Sequence, residues 1–229
     1  MSCFRSTDRS KPALQWDDKY HIFVTIWTWF AKHSKVRGQT MNKLIFLAIF
    51  VPIVTNADWI LDNSRSEISF ISTKNLSIGE THKFQDFEGT LDSNGKLLIK
   101  IDLNSVETGI PIRDERMKRM FFETTKHQQA VISANIDLSF SKSVSVGDIQ
   151  KRSEKFTLDL HGEKSTSEAS IALTLIKDGS VRVDSLRPVI ITASLYNLTE
   201  GLEALRVIAK LASISESVPV SFDLFFLEK

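Results

Sequence analysis

The chain has 229 residues, 42% hydrophobic and 25% charged, which suits one globular domain with a core of its own. Its formal net charge of +1 lacks the basic excess of a nucleic-acid binder. The only cysteine is Cys3, so a disulfide scaffold, a cysteine metal site and a cysteine nucleophile are excluded from everything after it.

Charge is spread unevenly. Bases dominate before Asp58, and from there on acids outnumber bases by about four, so a mature domain is mildly acidic. Met41-Asn42-Lys43, the apolar run Leu44–Val54 and Thr55-Asn56-Ala57 have the three parts of an export signal: a basic start, a greasy middle and a small-residue cleavage site. The run is short against the roughly 20 residues a membrane helix needs. Cleavage after Ala57 is expected, removing residues 41–57 and leaving 58–229 as the exported domain. Residues 1–40 read in two ways. They are an upstream extension of a natural start at Met41, or a leader whose aromatic run His21–Phe30 meets a membrane interface. If uncleaved, residues 1–57 would give the protein a membrane contact.

From Asp58 the pattern is period-two. Ile68 and Phe70 alternate with polar residues; Leu97, Ile99, Ile101 and Leu103 follow. Next come Ile132, Ala134, Ile136, Leu138 and Phe140; then Phe156, Leu158 and Leu160; then Ile171, Leu173 and Leu175. Val189, Ile191, Ala193 and Leu195, and finally Val218 to Phe226, complete the set. Such alternation marks strands with one buried and one wet face. Asp92-Ser93-Asn94-Gly95 and Lys177-Asp178-Gly179-Ser180 supply the residues that tight hairpins need. About eight strands result, spaced as in an all-β barrel or sandwich; a barrel would leave no free edges.

Two segments follow a helical period instead. In Arg113–Phe122, Met117, Met120 and Phe121 share a face, with Asp114 and Glu115 early and Lys118 and Arg119 late, as the helix dipole favours. In Glu200–Ala212, Leu202, Leu205, Ile208, Ala209 and Ala212 line one face, with Thr199 as the expected N-cap. Both are expected as short helices against the barrel end or wall.

An ordered set of motifs resembles the YceI family. Trp59-Ile60-Leu61-Asp62 with Ser66, Ile68 and Phe70 is similar to its opening strand, and Phe84, Phe87, Gly89, Thr90 and Leu91 to its second. Ser105-Val106-Glu107-Thr108 followed by Arg113, Asp114, Met117 and Phe122 resembles its strand-end and helix motif, and Leu158-Asp159-Leu160-His161-Gly162 a strand ending in His-Gly. The chain departs from the family at His127-Gln128-Gln129-Ala130, where Tyr-Pro is usual, and at Glu163-Lys164-Ser165-Thr166. The resemblance implies a lipocalin-like antiparallel β-barrel of about eight strands with two short helices. It implies a periplasmic or secreted protein that holds an isoprenoid or other long-chain lipid, with no cofactor and no catalysis.

The apolar lining expected for such a lipid is Phe70, Phe84, Phe87, Phe140, Phe156, Phe222 and Phe226; fifteen Phe against two Tyr favour a lining without polar handles. For any one of them plain core packing is the simpler reading. Arg113, Arg116 and Arg119 are candidates for a phosphate head group, since guanidinium forks suit phosphate oxygens, although such a run also reads as a solvated helix face. No pair among His82, His127 and His161 has metal-motif spacing, and no nucleophile elbow or phosphate loop occurs, so neither a metal nor an enzyme is expected. His161 is expected at a strand end or barrel rim. The competing function is a solid barrel acting through its outer surface. The oligomeric state stays open, with a homodimer as one candidate.

Overall fold

The computed structural model of the protein describes residues 59–139 and 145–229. The expected leader and export signal, and Phe140 of the expected lining, lie outside the described residues.

Twelve short strands run in chain order: β1 (Trp59–Leu61), β2 (Glu67–Lys74), β3 (Ile78–Phe84), β4 (Phe87–Leu91), β5 (Lys96–Asp102), β6 (Val106–Glu107), β7 (Gln129–Asn135), β8 (Ile149–Leu160), β9 (Glu163–Leu175), β10 (Val181–Ser185), β11 (Val189–Thr192) and β12 (Ser217–Glu228). Four bends join them in pairs. Asn63–Arg65 is a 3₁₀ turn between β1 and β2, pinned where the Asp62 carboxylate accepts the Ser64 amide at 3.0 Å. Gln85-Asp86 bends β3 into β4, Leu103–Ser105 bends β5 into β6, and Leu186-Arg187-Pro188 bends β10 into β11. The twelve pieces therefore make eight long antiparallel strands, each beside its sequence neighbour.

The ring closes through β12. Its Phe226 faces Leu61 of β1 and its Val220 faces Phe70 of β2, while its other edge pairs with β10 and β11. Closure leaves no row of unpaired backbone groups along the wall. The alternating residues of the eight strands then meet inside as the core.

Both expected hairpins form. Asp92 accepts the amides of Asn94 and Lys96 at 2.9 Å each, and Gly95 takes the positive φ of 83° that the turn requires. Gly179 does the same at 84° between β9 and β10. The polar stretches Ile149–Lys155 and Glu163–Ser170 also form strand, as the first halves of β8 and β9. They lack an apolar face, so period-two reading passes over them; their pairing comes from the continuous β8–β9 ladder.

The two crossovers that carry helices lie at the same end of the barrel, opposite the turns at 92–95 and 176–180. Helix α1 (Pro111–Arg116) starts earlier than expected, with Pro at its first turn, and widens into a π turn over Met117–Phe121. The Phe122 amide reaches back five residues to the Met117 carbonyl at 2.9 Å. This widening puts Phe121 and Phe122 both inside, whereas an α-helical face would bury only the first. Helix α2 (Thr199–Ile208) stops short of Ala212. Its N-cap is Leu198, with no side-chain cap, so Thr199 is the first helical residue rather than the cap. Expected strand residues Ala193 and Leu195 fall instead in a 3₁₀ turn, Ala193–Tyr196, which buries Tyr196 and leaves Leu195 exposed.

Gly201 is the point where α2 rests on α1. A Cβ there would lie 2.6 Å from the Met120 carbonyl oxygen and 2.9 Å from Phe121 Cα, both backbone atoms. Helix propensity alone favours Gly→Ala by about 1 kcal/mol. Overpacking costs about 1–3 kcal/mol, so the clash wins. Gly201→Ala should lower stability in denaturant titration, against the propensity trend.

Candidate lipid cavity

The barrel is not packed solid. A cavity of about 240 Å³ runs inside it. Its wall extends from Trp59 and Leu91 at the turn end to Phe121, Phe122 and Leu198 at the helix end. Small residues leave the room: Ala134, Ala169 and Ala193 stand at wall positions where larger chains would meet across the axis. The exposed surface of the wall is entirely apolar.

Phe70, Phe84, Phe156, Phe222 and Phe226 line this cavity, as the sequence leads one to expect. Phe87 is buried in the same core but does not reach the cavity surface, so it is a packing residue. Phe121 and Phe122 join the lining without having been expected there, because only the π turn aims both inward. Rings of Phe70, Phe84, Phe122 and Phe121 follow one another at centroid distances of 5.4, 5.9 and 4.7 Å, an aromatic floor at the helix end.

Arg113, Arg116 and Arg119 do not line the cavity. Arg113 is spent on holding α1 in place: its Nη1 donates to Glu80 at 2.6 Å and its Nη2 to the Thr108 carbonyl at 2.5 Å. Asp114 completes the clasp by accepting the Thr108 amide at 2.9 Å and the Thr108 hydroxyl. The Arg113-Asp114 motif thus ties the helix to β3 and to the chain just after β6. Arg116 is half-buried and Arg119 exposed on the same short segment.

The charged residue on the wall is Glu154 of β8. It sits 2.9 Å from Arg152 Nε, and Arg152 Nη1 donates to the Asp137 carbonyl at 2.8 Å. No apolar pattern marks these two residues, which is why a search for greasy alternation misses them.

The profile of the YceI-like domain matches residues 59–226. The chain belongs to the YceI-like family. A polyisoprenoid-binding domain from Saccharophagus degradans, implicated in plant cell wall breakdown, is 34% identical with a TM-score of 0.73, over 76% of this chain and 99% of that one. BcnA of Burkholderia cenocepacia shares the fold at 15% identity and a TM-score of 0.51, over 72% of this chain and 98% of its own. No curated protein matches. The YceI-like barrel, closed and antiparallel, thus stands as the sequence motifs imply.

His82 lies under α1 against the Phe70 ring, 5.3 Å between centroids, with Ser72 Oγ 3.0 Å from its Nε2. Burial holds its imidazole below the ordinary value of 6.5, and the positive charge of Arg113 adds to this. The unfolded chain therefore takes up a proton near pH 6.5 that the folded barrel refuses. Stability is intact above that pH and is lost as pH falls toward the lower folded value. Melting temperature should drop between pH 7.5 and 5.5, and His82→Gln should flatten the drop.

Proposed function

We propose that this protein is an exported lipid carrier that holds an isoprenoid or similar long-chain amphiphile inside its barrel. The observation that carries the reading is the wholly apolar cavity running the length of a closed barrel. Each buried CH₂ contributes about 0.8 kcal/mol, so a long chain supplies affinity through hydrocarbon burial alone. The relative from Saccharophagus degradans, described as polyisoprenoid-binding, supports the same ligand class. Phe70, Phe84, Phe156, Phe222 and Phe226 are the contacts for the tail. Carriage needs no chemistry at the ligand, and the reading is of a binder rather than a catalyst. A barrel acting only through its outer surface would have no use for the open interior.

Protein purified from its native host should carry a lipid visible in native mass spectra, and stripped protein should take up an added polyprenyl lipid. Ala169→Phe, which fills the cavity from the wall, should fold with near-normal stability and lose uptake at least tenfold. Equal uptake by this variant, or none by the stripped parent, would sink the carrier role.

We propose further that Met41–Ala57 directs export to the periplasm or the medium, on the strength of its three-part pattern. N-terminal sequencing of the exported protein should read Asp58-Trp59-Ile60; a chain that still begins at Met1 would refute this.

A further inference from the structure

Beside the aromatic floor, three side chains distant in sequence converge. Glu123 follows the π turn, His127 ends the turn leading to β7, and His161 takes the first place of the two-residue β8–β9 hairpin turn. Their ligand atoms all lie within 4.8 Å of one another. Nε2 of His161 is 3.3 Å from Oε2 of Glu123, and the two imidazole rings are 4.2 Å apart between centroids. The Glu123 carbonyl accepts the amides of Lys126 at 2.8 Å and His127 at 3.1 Å, which sets the turn that presents two of the three groups. Gly162 takes the positive φ of 85° that the hairpin turn beside His161 requires, and a Cβ there would only touch His127 Cε1, at 3.4 Å.

The decisive feature is His161. Its side chain is only 10% exposed; its Nδ1 is buried without a hydrogen-bond partner, and its Nε2 meets only the Glu123 carboxylate, at 3.3 Å. A neutral imidazole carries one donor and one acceptor, and buried polar atoms are normally satisfied. Glu123 has one oxygen bound to Lys126 at 2.8 Å, and Lys126 is 67% exposed; the other oxygen faces His161. Two imidazoles and a carboxylate with ligand atoms within 4.8 Å of one another form a donor set for a cation.

We propose that Glu123, His127 and His161 bind a divalent transition-metal ion of the Zn²⁺ class. Two imidazoles and one carboxylate are a zinc donor set that leaves a fourth position for water. Calcium and magnesium prefer all-oxygen shells, which this cluster does not offer. Zinc–ligand bonds near 2.1 Å in a tetrahedron put ligand atoms about 3.4 Å apart, close to the spacing of within 4.8 Å found here. The ion would join the turn after α1 to the β8–β9 hairpin. Phe121 and Phe122 directly precede Glu123, and Leu160 directly precedes His161; all three line the cavity. The metal would thus fasten cavity wall on two sides at the helix end. The site stands apart from the lipid reading, since its ligands do not line the cavity.

The test uses the full chain, stripped with a chelator, then titrated with ZnCl₂ by calorimetry and checked by elemental analysis after dialysis. The expected result is a bound zinc that raises the melting temperature, with no rise from MgCl₂ or CaCl₂. His127→Gln and Glu123→Gln should each weaken binding at least tenfold, with melting temperatures of the stripped proteins unchanged. Because His161 is buried and its replacement could unfold the turn, Co²⁺ absorption of the unmutated protein serves as a second readout, expected to show tetrahedral bands. No zinc bound at 0.1 mM, or equal zinc affinity in the His127→Gln, Glu123→Gln double variant, would overturn the proposal. Binding that persists there would belong to other residues, such as Cys3, His21 or His33.

Discussion

Everything in this barrel depends on the last strand finding the first. β12 pairs with β1 and β2 along one edge and with β10 and β11 along the other, so one strand joins both ends of the sheet. Without that seam the eight strands would be an open sheet with a greasy face. With it, the face becomes an enclosed wall, and eight strands give a ring too wide for its smaller residues to fill. The cavity is a consequence of closure combined with alanine at key wall positions.

The two ends of the barrel are built differently. One carries the short turns at 92–95 and 176–180. The other is closed by two helices held down with polar contacts: Arg113 on Glu80, Asp114 on Thr108, and α2 pressed onto α1 at Gly201. The π turn lets one short segment do two jobs, since Phe121 and Phe122 both turn inward while Glu123 turns toward the β8–β9 hairpin. Cavity floor, helix clasp and histidine cluster are therefore neighbours.

His127 and His161 meet at the helix end on connecting segments, not on the paired strands of the wall. Connections on a fixed scaffold are where a fold is free to take on chemistry of its own.

Strand alternation in the sequence determined the sheet, its wet and dry faces and most of the Phe lining, because period two is a local consequence of the pleat. The Asp-Gly and Asn-Gly turns were legible for the same reason: they need only neighbouring residues. What only the tertiary structure decided was everything set by distance across the ring. Phe87 packs away from the cavity, Phe122 turns into it, Arg113 is bound to a glutamate 33 residues earlier, and Glu154 emerges on the wall from a strand half with no apolar pattern. Glu123, His127 and His161 show no motif in sequence, since 34 residues separate the two histidines that the β7–β8–β9 meander brings together. Spacing along a chain records contacts within one element; contacts between elements exist only once the sheet has closed.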